Sequence, residues 1–177
     1  AVVQAIELGA TALFPPMRVE IGGEFKCSIA VLADPTGAVF GMTQNGAHTG
    51  FELTDGRGSA AWFELMSRGC DRAVEFYNAL LGGQSRLAPE SPMAYNLLSV
   101  DGVDFGGAME MPDMVPAQAP SYWSVYFAVD DADEAVRVAQ DRGATLLMGP
   151  ETMNVGRIAC LMDPEHAMVN VIELPRQ

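Results

Sequence analysis

The feature that most constrains the fold is an internal repeat that links the first and last segments of the sequence. The tripeptide Gly9-Ala10-Thr11 recurs as Gly143-Ala144-Thr145, and Leu32-Ala33-Asp34-Pro35 recurs as the similar tetrapeptide Leu161-Met162-Asp163-Pro164. The two spacings differ slightly, as expected for an insertion in an intervening loop. Self-similarity of this kind indicates that the chain is built from copies of one structural piece.

The copy near the C-terminus has a complete order of elements. Residues 122–129 are aromatic and β-branched, which predicts a strand. A helix is predicted next, because acidic residues occupy its first turn at 131–134 and Gly143 is a natural stop. Three strands are then predicted, at 144–148 (ended by Gly149-Pro150), 157–162 and 168–174.

The middle of the chain repeats this order of elements with little sequence identity, although only two strands are predicted after its helix. Ala60–Met66 predicts a strand, and Asp71–Leu81 predicts an amphipathic helix ended by Gly82-Gly83. Two strands are predicted at 94–100 and 103–111, on either side of an Asp-Gly turn. The chain therefore contains at least two segments in which a strand and a helix are followed by further strands.

These segments together carry a family resemblance. In order, they read WFEL, DRAVEFYNALLGG, YFAVDDADEAVRVAQDRGAT and VGRIACLMDP. They resemble the glyoxalase / bleomycin-resistance / extradiol-dioxygenase superfamily, also called vicinal oxygen chelate proteins, and in particular its two-module members. The resemblance implies an α+β fold in which βαβββ repeats pair into a curved, mixed eight-stranded sheet. The helices would lie outside, and the concave face would hold the ligand.

The same resemblance suggests how the chain is divided. Residues 59–177 would form a complete module from repeats at 60–112 and 121–175, and residues 45–58 would be a linker. Residues 1–44 would be the C-terminal part of a first module whose front is missing. A truncated repeat leaves a sheet edge open, so we expect self-association through this part.

Composition excludes several classes of partner. The 23 acidic residues exceed the 10 basic ones and give a formal charge of −13, which argues against nucleic acids and anionic membranes as partners. No apolar segment is long enough to span a bilayer, and no signal peptide is recognisable. The three cysteines lack Cys-x-x-Cys spacing, so a reducing cytoplasm is a simpler setting than a disulfide-forming one.

A metal site is not expected. Catalytic members of the resembled superfamily hold a divalent metal with His and Glu on four strand positions. The resemblance places Trp62, Gly107, Ser124 and Asn170 at those positions. Trp and Gly offer no metal-binding side-chain atom, and Ser and Asn are poor single ligands. We therefore predict no metal and no cofactor, and we disfavour glyoxalase and ring-cleaving dioxygenase chemistry.

A few other residues could carry chemistry. Glu64 shares a sheet face with Trp62, and a carboxylate buried there would be a candidate general base. The alternative is a structural Glu, paired with Arg157 or with the backbone. His48 and His166 fall in a linker and a turn, where surface roles are more common. Cys27 and Cys160 fall in predicted strands and are expected to be small buried side chains.

Alternation predicts a ligand face that is largely apolar and aromatic. Its predicted contacts are Trp62, Glu64, Gly107, Ser124, Tyr126 and Asn170. One hypothesis is a metal-free binder of a small hydrophobic or aromatic molecule, in the manner of the drug-resistance members. A second is an atypical enzyme of the superfamily acting on a small metabolite, with Glu64 and Tyr126 as catalytic candidates. A third is a protein-interaction scaffold whose side chains fill the cleft themselves.

Overall fold

A computed structural model describes residues 1–48, 50–89, 91, 93–113, 115–153 and 155–175 of the chain. The helices and strands over these residues are α1 (Val2–Glu7), β1 (Thr11–Ile21), β2 (Glu24–Ala33), β3 (Val39–Asn45), β4 (Ala60–Ser67), α2 (Cys70–Leu81), β5 (Gln84–Leu87), β6 (Tyr95–Val100), β7 (Val103–Glu110), β8 (Tyr122–Ala128), α3 (Ala132–Asp141), β9 (Thr145–Met153), β10 (Gly156–Met162) and β11 (Met168–Glu173). The predicted α+β class is confirmed, and most predicted elements lie within one or two residues of their expected bounds.

The chain divides into two compact units, and each is discontinuous in sequence. Unit 1 comprises residues 1–51 and 64–123, and unit 2 comprises residues 52–63 and 124–177. Strand β4 contributes to both units, because the boundary falls between Phe63 and Glu64. The predicted module boundaries follow the order of the chain instead, and they stay a prediction.

Unit 1 contains a three-stranded sheet of order β1-β2-β3 and the strand order β5-β6-β7-β4. Its core joins both sets of strands to α2 through buried residues such as Leu32, Leu65 and Leu98. A chain of edge-to-face aromatic contacts runs through this core: Phe40–Phe76, Phe40–Tyr77, Phe76–Tyr77 and Tyr77–Trp123. Such pairs stabilise beyond the area that they bury.

Unit 2 has the strand order β4-β8-β11-β10-β9. Strands β8 and β11 are parallel, whereas β10 is antiparallel to both of its neighbours, so the sheet is mixed. Helix α3 covers one face, where Val136 packs with Ala159, Leu161 and Val171. The opposite face is therefore left for other contacts.

The two copies of the sequence repeat have matching local structure. Gly9 and Gly143 both have positive φ angles, of +104° and +92°, and a Cβ on either would lie 3.4 Å from the Cγ of a proline, Pro35 or Pro164. In the turns that contain these prolines, Oδ1 of Asp34 accepts from the amides two and four residues later, at 2.7 and 3.0 Å. Asp163 Oδ1 makes the same two bonds, both at 2.8 Å.

Two details of the predicted strands were wrong. The strand predicted at 144–148 does not end at Gly149-Pro150 but continues as β9 to Met153. The register between β9 and β10 shifts at this point, so that Gly149 and Pro150 lie opposite the single residue Ala159 in a bulge. The short strand β5 was not predicted, because its sequence QSRL lacks apolar alternation. It pairs with β6 at the edge of its strand set.

The ends of α2 are defined by polar contacts. The carboxylate of Glu110 accepts hydrogen bonds from the backbone N–H groups of Gly69 at 3.0 Å and Cys70 at 2.8 Å. These contacts satisfy donors that a helix start leaves unpaired. Gly82 ends the helix in the left-handed conformation. Among the described residues, no helix combines the length and apolar character needed to cross a membrane.

Arg68 fixes the proline-rich connector that follows β7. Its guanidinium donates to the carbonyl oxygens of Val115, Pro116 and Ala119 at 3.2, 2.8 and 3.2 Å. Its backbone N–H donates to the hydroxyl of Ser121 at 3.0 Å. A single side chain therefore satisfies several carbonyl groups in a segment whose described residues form no strand or helix.

Candidate functional site

Three predicted ligand contacts in unit 2, Ser124, Tyr126 and Asn170, lie on the sheet face opposite α3, together with Cys160, which was not predicted as a site residue. Tyr126 on β8 pairs with Asn170 on β11, and Asn170 pairs in turn with Cys160 on β10. Laterally paired residues point to the same face of a sheet, so these three form a row across three strands. Ser124 lies two residues before Tyr126 and shares its face by alternation.

The surroundings of this row are apolar and aromatic. Tyr126, Ile158 and Ile172 form a buried cluster, and Trp62 and Cys160 pack against it while staying partly exposed. The Tyr126 hydroxyl lies 3.9 Å from the Cys160 thiol. Trp62 was predicted to contact the ligand. In this cluster it combines a large aromatic surface with access to solvent.

The amide of Asn170 is nearly inaccessible, with 3% of its surface exposed. Its Nδ2 group donates to the carbonyl oxygen of Val125 across a long bond of 3.4 Å. Its Oδ1 atom is buried, and no donor among the described residues reaches it. Buried polar atoms are almost always hydrogen-bonded, so this oxygen calls for an explanation.

The predicted site residues of unit 1 form a separate arrangement. The hydroxyl of Tyr95 on β6 donates to Oε1 of Glu64 on β4 at 3.0 Å. The Tyr95 ring lies directly over Gly107 on β7, because a Cβ added to Gly107 would lie 2.2 Å from the ring. The space that the glycine provides is therefore occupied by a tyrosine of the same chain.

Tyr95 is the residue of this arrangement that the sequence reasoning missed. The strand containing it was predicted, and alternation would have placed Tyr95 on the face opposite buried Leu98. Its contact with Glu64 depends on the registers of neighbouring strands, which alternation does not give. The other suggested partner of Glu64, Arg157, instead forms an exposed ion pair with Asp133 and lowers the pKa of that carboxyl.

The remaining candidates take structural or surface positions. His48 and His166 are both exposed. Cys70 is buried, and burial raises the pKa of its thiol, with further contributions from the carboxylates of Glu110 and Asp71. Cys27 and Cys160 are only partly buried, less than expected.

The positions at which a metal ligand was expected from the resemblance stay a prediction. The resemblance places Trp62, Gly107, Ser124 and Asn170 at the positions that carry ligands in catalytic members of the superfamily. Among these, the amide oxygen of Asn170 is the strongest potential donor. Within the described residues, no group of three or more His, Cys, Asp or Glu side chains is placed to hold a metal ion.

Two depressions in unit 1 lie away from these residues. One, next to Tyr77 and Leu98, has no room for a water molecule, and the other is a polar depression of about 180 Å³ at the Asp101-Gly102 turn. Neither is lined by a predicted ligand residue. In the row described above, Tyr126 and Asn170 are buried, whereas Cys160 is partly exposed.

Comparison with known proteins identifies the family. The family model described as "Glyoxalase/Bleomycin resistance protein/Dioxygenase superfamily" matches residues 59–171. This match covers more than half of the chain, so the protein belongs to the glyoxalase / bleomycin-resistance / dioxygenase superfamily. The resemblance seen in the sequence is confirmed.

Curated relatives agree with this assignment. The chain is 34% identical over 175 residues to "Putative glyoxylase CFP32" of Mycobacterium tuberculosis, covering 98% of the chain and 65% of that protein. It is 35% identical over 170 residues to "Anthracycline biosynthesis protein DnrV" of Streptomyces peucetius, covering 94% of the chain and 58% of that protein. The chain thus spans less than two thirds of the length of these relatives.

Solved structures share the fold. A variant of methylmalonyl-CoA epimerase from Streptomyces coelicolor, bound to 2-nitronate-propionyl-CoA, aligns with a TM-score of 0.52 at 17% identity. The alignment covers 68% of this chain and all of that one. At this identity the likeness establishes the fold alone.

Proposed function

We propose that this chain binds a small hydrophobic or aromatic molecule on the face formed by Tyr126, Asn170 and Cys160, without the metal site of its catalytic relatives. The observation that carries the proposal is the aromatic cluster of unit 2. Trp62, partly exposed, packs on buried Tyr126, Ile158 and Ile172. Aromatic side chains on an apolar floor can stack on a flat ligand.

The donor chemistry supports binding without a metal. The four positions described above provide an indole, a glycine, a hydroxyl and an amide, which do not match the imidazole and carboxylate ligands of metal enzymes. In this proposal, Ser124 and Asn170 orient a ligand through hydrogen bonds, and Trp62 covers it. Because Tyr126 and Asn170 are buried in this structure, ligand entry requires a neighbouring side chain such as Trp62 to move.

The names of two relatives suggest which class of ligand this chain binds. Two curated relatives are named as anthracycline biosynthesis proteins, from Streptomyces peucetius and Streptomyces strain C5. Anthracyclines are planar, polycyclic aromatic compounds. A flat aromatic molecule of this general kind suits a face lined by Trp62 and Tyr126.

Fluorescence and thermal stability test the proposal together. The chain has two tryptophans, so the Trp123→Phe variant leaves Trp62 as the single indole reporter. We expect planar polycyclic compounds to change Trp62 emission and to raise the melting temperature, because a ligand stabilises by RT ln(1 + [L]/Kd). Trp62→Ala should abolish the thermal shift while keeping a folded protein.

Other outcomes would favour the alternative functions. If no planar compound shifts either signal, the cluster is scaffold, and ligand binding is the wrong function. If purified protein holds stoichiometric metal and turns over a hemithioacetal or a catechol, the metal-free proposal fails. In that case Glu64 would be the first residue to substitute, with Glu64→Gln keeping its bond to Tyr95.

A further inference from the structure

The inference starts from the buried oxygen of Asn170. Its Oδ1 atom has no donor within reach among the described residues, although the residue is 3% exposed. A buried acceptor without a donor is unfavourable, and native structures contain few of them. Asn170 also stands in the middle of the Tyr126–Asn170–Cys160 row, on the face proposed above to hold the ligand.

The orientation of the amide is determined by its other contact. The neighbouring group on β8 is the carbonyl oxygen of Val125, which accepts from Nδ2 at 3.4 Å. Turning the amide over would bring two oxygens together, since neither a carbonyl nor the amide oxygen can donate. The atom left for another partner is therefore an acceptor, and its partner must supply an O–H or N–H group.

The surroundings restrict the partner further. The cluster beside Asn170 consists of Tyr126, Ile158 and Ile172, all buried. Burying an ionised group among such side chains is strongly unfavourable unless a counter-charge accompanies it. An ammonium or carboxylate is thus a poor occupant, and a neutral hydroxyl or N–H on an aromatic ring is a good one.

We propose that Asn170 is a specificity-determining residue whose Oδ1 accepts a hydrogen bond from a neutral hydroxyl or N–H group of a planar aromatic ligand. This inference rests on the proposed binding function and names the ligand class: phenolic or similarly hydroxylated rings. A site built to bond a ligand hydroxyl discriminates strongly against an analogue that lacks it, because the buried acceptor is then left unpaired.

A matched ligand series tests the inference. The probes are 2-naphthol, 2-methylnaphthalene, in which a methyl group replaces the hydroxyl, and 2-naphthoate, which is charged. We expect wild-type protein to bind 2-naphthol at least about tenfold more tightly than 2-methylnaphthalene, and 2-naphthoate most weakly. Asn170→Leu should reduce the preference for 2-naphthol to near one while keeping the affinity for 2-methylnaphthalene.

The control variant makes the same chemical change elsewhere. The control is Asn96→Leu. Asn96 lies on β6, and its amide contacts the Cys70 thiol at the start of α2. This variant should retain the full preference for 2-naphthol. If wild-type protein binds both neutral probes equally, or if Asn170→Leu leaves the ratio unchanged, the role of Asn170 is wrong and the binding function stands. If neither probe binds wild-type protein, the proposed function fails and the inference fails with it.

Stability without ligand gives a second readout. Replacing Asn170 by leucine removes the unpaired acceptor, which favours folding, and also removes the long bond from Nδ2 to the Val125 carbonyl, which disfavours it. The two changes oppose each other, so we expect ligand-free Asn170→Leu to melt within about 4 °C of wild-type protein. A larger fall in melting temperature would show that Oδ1 is already satisfied in the folded protein, and would overturn the inference.

Discussion

The hydroxyl of Tyr95 donates a 3.0 Å hydrogen bond to Glu64, and its ring fills the space above Gly107. The glycine makes this arrangement sterically allowed, because a Cβ at Gly107 would lie 2.2 Å from the phenol ring. A side chain of the chain itself thus takes the space above Gly107, which was predicted to contact a ligand.

The first prediction is that Gly107→Ala destabilises unit 1 by about 1–3 kcal/mol, the usual range for overpacking. The added methyl must displace the Tyr95 ring and lengthen its bond to Glu64. Denaturant unfolding measures the effect. Gly41→Ala is a suitable control, because its Cβ would lie 3.9 Å from the Ala30 carbonyl oxygen, an ordinary van der Waals distance.

A double-mutant cycle checks the cause of that loss. In a Tyr95→Ala background, the ring that clashes is gone, so adding Gly107→Ala should have little further effect. Equal destabilisation in both backgrounds would mean that another contact, and not Tyr95, limits the space at Gly107.

The second prediction concerns alkaline stability. Burial raises the pKa of Tyr77 well above its ordinary value of 10.0, and the nearby Asp34 carboxylate adds to the effect. The phenol oxygen also accepts from the Trp123 indole at 2.8 Å. Above pH 10 the unfolded chain releases this proton and the folded chain keeps it. The free energy of unfolding therefore has its full value below pH 10 and falls above it, by up to about 1.4 kcal/mol per pH unit.

The comparison that isolates Tyr77 is Tyr77→Phe. The variant is expected to be less stable at neutral pH, since the Trp123 donor loses its acceptor, but its stability should fall less steeply above pH 10. Chemical unfolding at pH 8, 9, 10 and 11 gives both slopes. Parallel slopes would assign the alkaline loss to other groups.

The third prediction concerns Arg68 and the connector at 112–120. Arg68→Lys keeps the charge but cannot reproduce the guanidinium contacts with Val115, Pro116 and Ala119. We expect severalfold faster proteolysis within the connector, with global stability lowered by about 1 kcal/mol or less. Arg72→Lys, on an exposed face of α2, should leave the cleavage rate unchanged.

The fourth prediction uses the equivalent glycines Gly9 and Gly143. Both have positive φ and the same distance to a proline ring, so alanine at either should destabilise by a similar amount, about 1–2 kcal/mol. Asparagine tolerates this conformation better, so Gly143→Asn should be milder than Gly143→Ala. Unfolding measurements that give clearly unequal losses for the two alanine variants would argue against equivalent turns.

Local signals made much of the fold predictable. Gly82 and Gly143 mark helix ends because the left-handed conformation needs a residue without a Cβ, and both positions have positive φ. The Asp131 N-cap accepts from the Glu134 amide, as the acidic start of α3 indicated. The polar strand β5 could not be predicted, because its sequence carries no local signal and only its pairing with β6 defines it.

The site was less predictable, because its chemistry depends on contacts across strands. Alternation correctly placed Tyr126 and Asn170 on strands that could share a face. It could not show that Tyr95 bonds to Glu64, nor that Asn170 Oδ1 is buried without a donor. Both facts follow from registers and packing that no single segment encodes.

The paired turns at Asp34 and Asp163 have a consequence for measurement. The two aspartates make the same backbone bonds, but Asp34 is 4% exposed and Asp163 lies nearer the solvent. Asp34→Asn and Asp163→Asn therefore make the same substitution in the same type of turn, once at a buried position and once at a partly exposed one. The difference between their unfolding energies combines the effect of depth on a carboxylate with that of the contacts that only Asp34 makes, such as the 2.8 Å bond from the Thr36 hydroxyl. In this way the duplicated chain provides an internal reference for its own energetics.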